Sequence, residues 1–511
     1  MIIRSVFASK STFNAVHRVD TLQAMPKIAI KEEGIIKLLR QVDPNKAPGP
    51  EDIPARIFKQ AAEYVAPYLK LIFEKSLSEG RVPKDWKLAN ITPIFKNGVK
   101  DDPANYRPIS LTSLSGKLLE HIITSSLMGY LEANNFFARN QHGFRKTRSC
   151  ETQLALLIHD ILKSAENKRQ VDAIFLDFRK AFDKVPHHKL LHKLKIAGIN
   201  SQVLVWIEHF LNDRKQRVVL DGICSNVVEV TSGVPQGSVI GPLLFLIYIN
   251  DLSREINSKV RIFADDTVIY REIATSEDRL VLRNDLDKIM AWCENWELEL
   301  NINKCSVVNF FERKTTNNDF TYSLRGEKIS IVESVKYLGL TLTNNLSWNT
   351  HIRNTCGKAL KKLGFVKRIV GKSVEKVRER CYFALVRPHL EYACSVWDPA
   401  DKSNISELEK VQRKAIRFVK NCYDKSISVT KLLKDAGWEP LELRRSKRRL
   451  DLLNRFKEET FKEDVVQIMR PPCYIGRSDR ANKIREIDAK TDRFKNSFFP
   501  RTIRENNRLG K

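Results

Sequence analysis

Apolar and polar positions alternate along this chain at two periods, and the change of period marks its organisation. Between 54 and 80, Ala55, Ile57, Phe58, Ala62, Val65, Leu69, Ile72 and Phe73 recur at helical spacing, with Pro54 near the start and Gly80 past the end. That pattern predicts a helix with the usual start and stop residues. Further helices are predicted at 117–131, 151–165, 179–197 and 202–212. Short apolar runs predict strands at 171–178, 216–221, 226–231, 259–264 and 267–271, with strand-like pieces around 91–95 and a turn at Pro108. From about 350 the chain reads as helix after helix, at 350–369, 374–393, 403–420 and 441–459. The prediction is an α+β region followed by an all-helical one.

Two of the predicted strands end in acids. In Phe263-Ala264-Asp265-Asp266-Thr267-Val268, adjacent carboxylates separate the apolar runs Val260-Arg261-Ile262-Phe263 and Val268-Ile269-Tyr270, which reads as a β-hairpin with the acids at its tip. Two like charges side by side repel and drive one carboxyl toward protonation. A hard divalent cation such as Mg²⁺ relieves that repulsion. Taken alone, the pair reads first as an acidic turn exposed to water. Upstream, Val171-Asp172-Ala173-Ile174-Phe175-Leu176-Asp177-Phe178 reads as a buried strand delivering Asp177 at its C-terminal end. A strand-end acid and a hairpin-tip pair can together hold two Mg²⁺ ions about 4 Å apart, the arrangement that clamps both oxygens of an in-line phosphoryl displacement.

Composition narrows the partners. With 511 residues and 42% hydrophobic content, the chain exceeds one ordinary domain and can bury a core. No apolar run approaches the ~20 residues that span a bilayer, so no membrane role is expected. A formal charge of +27, from 88 basic residues, makes a polyanion the expected partner. The nine cysteines are scattered with no CxxC pair, which supports neither a zinc knuckle nor a disulfide framework and fits a reducing, intracellular setting. Residues 1–19 carry Arg4, Lys10, His17 and Arg18 and no acid; the alternatives are a transit peptide and a linker remnant. Residues 441–511 hold 20 Lys/Arg against 11 Asp/Glu, with Arg444, Arg445, Lys447, Arg448 and Arg449 clustered. That cluster reads either as a solvated helix face or as a phosphate-tracking surface.

Eight ordered blocks carry a resemblance. They are Lys46-Ala47-Pro48-Gly49-Pro50, Asn105-Tyr106-Arg107-Pro108-Ile109-Ser110-Leu111, Gln141-His142-Gly143-Phe144-Arg145 and Asp177-Phe178-Arg179-Lys180-Ala181-Phe182-Asp183-Lys184-Val185. Then follow Ser232-Gly233-Val234-Pro235-Gln236-Gly237-Ser238, Phe263-Ala264-Asp265-Asp266, Leu300-Asn301-Ile302-Asn303-Lys304 and Tyr337-Leu338-Gly339. In this order, over roughly 30–500, the chain resembles the reverse transcriptases of non-LTR retrotransposons of the jockey and CR1 type. The resemblance implies a right-hand polymerase with an antiparallel palm sheet and a helical thumb. It assigns 1–29 to a linker remnant, 30–170 to fingers with an N-terminal extension, 171–345 to the palm, 346–440 to the thumb and 441–511 to a basic C-terminal region.

It also implies roles residue by residue. Asp177, Asp265 and Asp266, with the Phe178 backbone carbonyl, would hold two Mg²⁺ ions, with Mn²⁺ as a substitute. Phe182, five residues after Asp177, would sit under the sugar C2′ and exclude a 2′-OH, where RNA-dependent RNA polymerases place an acid. Lys96 and Arg107 would grip the dNTP triphosphate, where charge accumulates during transfer. Gln236 would meet the nascent base pair and dNTP sugar, and Gly237 would allow close backbone approach to nucleic acid. Lys304 would protonate departing pyrophosphate, although Cys305 stands where the family usually has Thr. Arg145 and Arg148 would brace template phosphates, and Leu338-Gly339 would support the primer end. Asp183 is expected on a helix, paired with Lys180 or Lys184.

The resulting expectation is an RNA-directed DNA polymerase with template RNA, a primer DNA 3′ end and dNTPs as partners, present in the cytoplasm as an RNA complex and in the nucleus. The family's endonuclease normally precedes the polymerase, so the chain reads as the polymerase portion alone. The alternatives are a catalytically idle RNA-binding remnant and an RNA-dependent RNA polymerase.

Overall fold

The computed structural model describes residues 24–96, 98–311, 320–472 and 483–509. Most of the expected linker, together with Asn97 and Cys473, lies outside the described residues. The architecture is a mixed α+β one. It divides into two compact units, one from Met1–Ala138, Phe178–Arg254 and Trp292–Glu299, the other from Arg139–Asp177, Glu255–Ala291 and Leu300–Lys511. No helix among the described residues is long and apolar enough to cross a membrane.

In the first unit, strand Leu88–Phe95 pairs antiparallel with Tyr106–Leu111 and parallel with Arg214–Leu220. Val228–Val230 and Ile223–Cys224 add antiparallel to Arg214–Leu220. The helix predicted over 54–80 is two helices, Ala55–Gln60 and Ala62–Glu79. The second ends on Gly80 at φ 64°, whose amide donates to Leu77, a left-handed glycine cap. Helix Gly241–Ile249 is almost wholly apolar and buried. Beside it Lys193 is buried: its ammonium lies 3.7 Å from the Trp296 ring centroid and 2.6 Å from Asp251 Oδ1. Burial pushes that lysine down to about 8.

One predicted helix is shorter than its pattern. Residues 179–186 are turn and coil, and the helix runs only over His187–Ile196. Lys180 takes φ 50°, a left-handed value that breaks helical continuity. Pro186 then forms the N-cap and disfavours the helical region for the residue before it. Phe182 and Asp183 therefore stand on a turn, not on a helix.

The second unit is built on a five-stranded sheet in the order Ser330–Ile331, Ser306–Phe310, Gln170–Leu176, Asp266–Ile273, Lys259–Phe263. All its pairs are antiparallel except the edge pair of Ser330–Ile331 with Ser306–Phe310, which is parallel. The central strand is buried at every position, as its continuous apolar run requires. Its one acid, Asp172, is satisfied: Tyr322 Oη donates to it at 2.8 Å and Gln170 Nε2 at 2.6 Å. Helix Cys150–Glu166, started by a Ser149/Thr152 capping box, shares a core with this sheet and the later helices, from Leu154 through Phe175 and Leu363 to Phe499.

The basic cluster after 441 is split: Arg445 and Arg449 face inward, whereas Lys447 and Arg448 are exposed. Arg444 and Arg448 bond Glu391, Arg445 and Arg449 pair with Asp398, and Lys447 reaches Glu439. Arg445 and Arg449 are fully buried. A surface reading fails for Arg445 and Arg449, which are buried against Asp398, while Lys447 and Arg448 keep exposed side chains.

Candidate active site

The acids are placed by strand register. Leu176 pairs with Thr267, and Phe263 pairs with Asp266. Asp177 is the residue that follows the last paired position of its strand, and Asp266 opens the neighbouring strand, so both acids stand at the same end of this ladder. Ala264 and Asp265 form the two-residue turn between Lys259–Phe263 and Asp266–Ile273, with Ala264 at φ 56°. A left-handed alanine is strained, and a neighbouring loop holds it. Buried Gln141 accepts at its Oε1 from the Ala264 amide at 3.0 Å and from the Gly143 amide at 2.7 Å. The backbone adds His142 N–H to Ile262 O at 2.8 Å and Ile262 N–H to Asn140 O at 2.9 Å. A side chain at Gly143 would meet the Ala264 nitrogen at 2.4 Å. Gln141 thus pins the turn that carries Asp265, a placement for which sequence reasoning gave no role.

Lys304 lies on the same edge, its Nζ 3.8 Å from Asp177 Oδ2, with both groups open to solvent. The Asn301 amide donates to Asp177 O at 2.7 Å, which fixes the approach of the lysine loop. Cys305 beside it is buried, and burial raises its thiol. Among the described residues no three acidic, histidine or cysteine side chains converge into a closed metal cluster. The donor set nevertheless suits Mg²⁺: it is all oxygen, and Mg²⁺ commonly uses one or two carboxylates, keeping waters and substrate phosphates for the rest.

The expected primer support is a tight hairpin. Ser334–Tyr337 pairs with Leu340–Thr343 through a turn in which Leu338 and Gly339 take φ 42° and 84°, the signs a type I′ turn requires. Tyr392 braces it: its hydroxyl donates to Leu338 O at 3.0 Å. A Cβ at Gly339 would lie 2.6 Å from the Tyr392 ring. Burial raises the acidic groups of Cys150, Tyr337 and Tyr392, and the Asp266 charge adds to each.

The two expected template arginines part company. Arg145 is half-buried, its guanidinium 3.5 Å from Gln141 O. Arg148 is buried, 2.9 Å from Asp464 Oδ2 and 2.9 Å from His142 Nε2. It also donates to Thr460 O at 3.2 Å and lies 4.9 Å from the Phe461 ring centroid. A side chain so enclosed cannot brace a template phosphate, and the expectation for Arg148 is corrected to a structural cation.

In the first unit, Ile94 pairs with Arg107, and Lys96 continues that ladder through its amide to Asn105 O at 2.9 Å. The strand period of two puts Lys96 and Arg107 on one face, and both are exposed. The Phe182 ring stacks on Phe245, with centroids 4.3 Å apart at 21°. Gln236 Nε2 donates to Asp183 Oδ1 at 2.8 Å, whereas Lys184 pairs with Glu299 at 2.5 Å. Of the two partners expected for Asp183, Lys184 pairs elsewhere and Lys180 acts on it through its charge, while its hydrogen-bond donor is a glutamine from a distant loop. Burial raises the Asp183 carboxyl, and the Gln236 bond opposes that shift. Gly237, at φ 109°, passes so close to Ser110 that a Cβ would stand 2.5 Å from its carbonyl oxygen. The buried Phe178 directly follows Asp177 in the chain.

Comparison with known proteins identifies the domain in the middle of the chain. Residues 94–342 match the family described as reverse transcriptase (RNA-dependent DNA polymerase), so that this stretch is a reverse transcriptase domain. The chain is also similar to polymerases of mobile elements and transposons. The chain is 31% identical over 414 residues to the RNA-directed DNA polymerase from mobile element jockey of Drosophila melanogaster, across 78% of this chain and 44% of that protein. It is 28% identical over 416 residues to the probable RNA-directed DNA polymerase from transposon BS of the same organism, across 78% of this chain and 45% of that one. Similarity to the corresponding probable polymerase from the X-element, also of Drosophila melanogaster, is 28% over 390 residues, 74% of this chain and 42% of that one. The chain thus spans under half the length of the relatives it matches.

Proposed function

We propose that this chain is an RNA-directed DNA polymerase, with template RNA, a primer 3′-OH and dNTPs as substrates and the fingers, palm and thumb of a right-hand polymerase. The observation that supports the reading is the register that ends with Leu176 opposite Thr267, leaving Asp177 and Asp266 at one end of the ladder beside a turn bearing Asp265. Divalent ions held there by Asp177, Asp265, Asp266 and the Phe178 carbonyl would lower the pKa of the attacking 3′-OH and steady the leaving pyrophosphate. The chain's own groups supply the rest. Lys96 and Arg107 neutralise the triphosphate, and positioning of this kind provides most of the catalysis in phosphoryl transfer. Lys304, close to Asp177, is the proton donor to pyrophosphate. Phe182, backed by Phe245, rejects a 2′-OH by overlap. The turn Leu338-Gly339 steadies the primer end. Priming from a chromosomal 3′ end would take the protein, as an RNA complex, from cytoplasm to nucleus.

Primer extension tests the proposal. Purified protein with Mg²⁺, an RNA template and an annealed DNA primer should incorporate dNTPs, and Asp265→Asn should abolish incorporation while leaving RNA affinity nearly intact. Tight RNA binding without incorporation by the unmodified chain would reduce it to an RNA-binding remnant. A preference for rNTPs would make it an RNA polymerase.

A further inference from the structure

The loop carrying Gln236 is strapped down along its length. Ser232 Oγ donates to Asp183 O at 3.0 Å, the Gly233 amide to Val185 O at 2.8 Å, and the Val234 amide to Phe182 O at 2.7 Å. His187 Nε2 donates to Gly233 O at 2.8 Å. A Cβ at Gly233 would stand 2.5 Å from Asp183 O. Past Gln236, its carbonyl accepts the Ser110 amide at 2.8 Å. Buried Glu120 accepts the Val239 and Ile240 amides at 2.7 and 3.2 Å. With the backbone fixed, the freedom left to Gln236 is rotation of its side chain, and Asp183 holds the end of that side chain.

An amide end carries a donor face and an acceptor face, and it can turn to offer either one. An ionised carboxylate only accepts, so the Asp183 Oδ1 contact at 2.8 Å fixes Nε2 toward the acid and directs Oε1 away from it. Both residues line a cavity of about 540 Å³ in the first unit, together with Arg214, Lys215 and Arg217. Glu229 lines the same cavity and Arg214 is buried and donates to Phe210 O, so the wall is of mixed charge; Oε1, an acceptor, calls for a donor from the ligand. The geometry points to Asp183 as the positioning residue that sets the hydrogen-bond polarity of Gln236, so that Gln236 takes a donor from its ligand, a sugar hydroxyl or a base amino group. The inference rests on the reading that Gln236 meets the nucleotide or the nascent base pair. It gives Asp183 a task in selection that an ordinary turn carboxylate does not have.

Single-nucleotide insertion kinetics test it, with dNTP against 2′,3′-dideoxy-NTP and with guanine against hypoxanthine in the template. The first pair removes the sugar donor and the second the base donor, so the two arms separate the sources. The unmodified chain should lose about tenfold in kcat/KM, expressed in KM, with one of the two analogues; that is the scale of one hydrogen bond. In Asp183→Asn and Asp183→Ser, either of which lets the Gln236 amide turn round, the ratio should shrink to about two- to threefold at an unchanged melting temperature. Should one variant fail to fold, the other carries the test. If Gln236→Leu loses the ratio while both folded Asp183 variants keep it, the polarity role falls and the Gln236 reading stands. If Gln236→Leu also keeps it, the Gln236 reading fails and the inference fails with it.

Discussion

Arg148→Met separates what the sequence implied from what the fold does with this residue. A phosphate-bracing arginine would be exposed, and its loss would reduce the salt dependence of RNA binding by roughly one counterion while sparing stability. Arg148 is instead enclosed, with its side chain 2% exposed and that of its partner Asp464 10% exposed. Removing one member of a buried ion pair costs about 3–5 kcal/mol, because the other charge is stranded. Two features set the figure within that range. The 2.9 Å contact lies off the hydrogen-bond direction, since Asp464 Oδ2 lacks a directed donor, which lowers the worth of the pair. Against that, the substitution also strips His142 Nε2 and Thr460 O of their donor. We therefore expect a loss of about 3 kcal/mol.

Urea unfolding followed by tryptophan fluorescence reads that loss. With a slope of about 3 kcal/mol/M for a unit of this size, the midpoint should fall by about 1 M. Pairing Arg148→Met with Asp464→Leu should restore part of it, since an apolar replacement removes the stranded charge. RNA affinity measured across a salt series should keep its slope. An unchanged urea midpoint together with a shallower salt slope would refute the reasoning and return Arg148 to the template.

Phe182→Val should admit rNTPs, measured as the ratio of rNTP to dNTP incorporation; unchanged sugar discrimination would remove the gate role. Gly339→Ala forces a Cβ within 2.6 Å of the Tyr392 ring at a φ of 84°, so it should cost about 1–3 kcal/mol and slow primer extension, read by thermal melting and extension assays. Acid should weaken the second unit through its buried histidines. Burial pushes His159 and His351 each down to about 4. Between pH 6.5 and 4 the unfolded chain therefore binds protons that the folded one refuses, and stability falls by at most about 3 kcal/mol per histidine. Asp160, held down to about 2 by Arg261 and Lys259 against its burial, keeps its contribution until the pH drops below its unfolded value of 3.8. Melting temperatures across pH 4–8 check the sign; a flat profile would count against neutral burial of these rings.

Where one local pattern sufficed, the sequence was legible. The apolar runs of 171–176 and 259–273 gave the strands and the acid-tipped hairpin, and register then did what a period of two requires. Tertiary partners decided the rest. Residues 179–186 carry helical spacing, yet Lys180 turns left-handed and the Gln236 loop claims the backbone carbonyls of Phe182, Asp183 and Val185. Charge misled for the same reason. Nothing local in Arg444 through Arg449 announces that Glu391 and Asp398 will neutralise them, or that Arg148 will find Asp464. A cation looks identical in sequence whether it faces a phosphate or a buried carboxylate. The parallel pairing of Leu88–Phe95 with Arg214–Leu220 was equally hidden, since its partners stand more than a hundred residues apart.

Two turns at the proposed reaction centre share one construction. Each puts a non-glycine residue in the left-handed region, Ala264 at φ 56° and Leu338 at φ 42°, which costs of order 1–3 kcal/mol and persists only where the surroundings over-determine it. Each is over-determined by a single polar side chain from another element: Gln141 accepts the Ala264 amide, and Tyr392 donates to the Leu338 carbonyl. A glycine at either position would relieve the strain but leave the turn free to vary. For Ala264-Asp265 that freedom would move a carboxylate relative to Asp177, and for Leu338-Gly339 it would move the support proposed for the primer end. The strained residue together with its brace gives one position where a relaxed turn would give several. For a displacement that demands reacting atoms within a few tenths of an ångström, a single position is worth the strain.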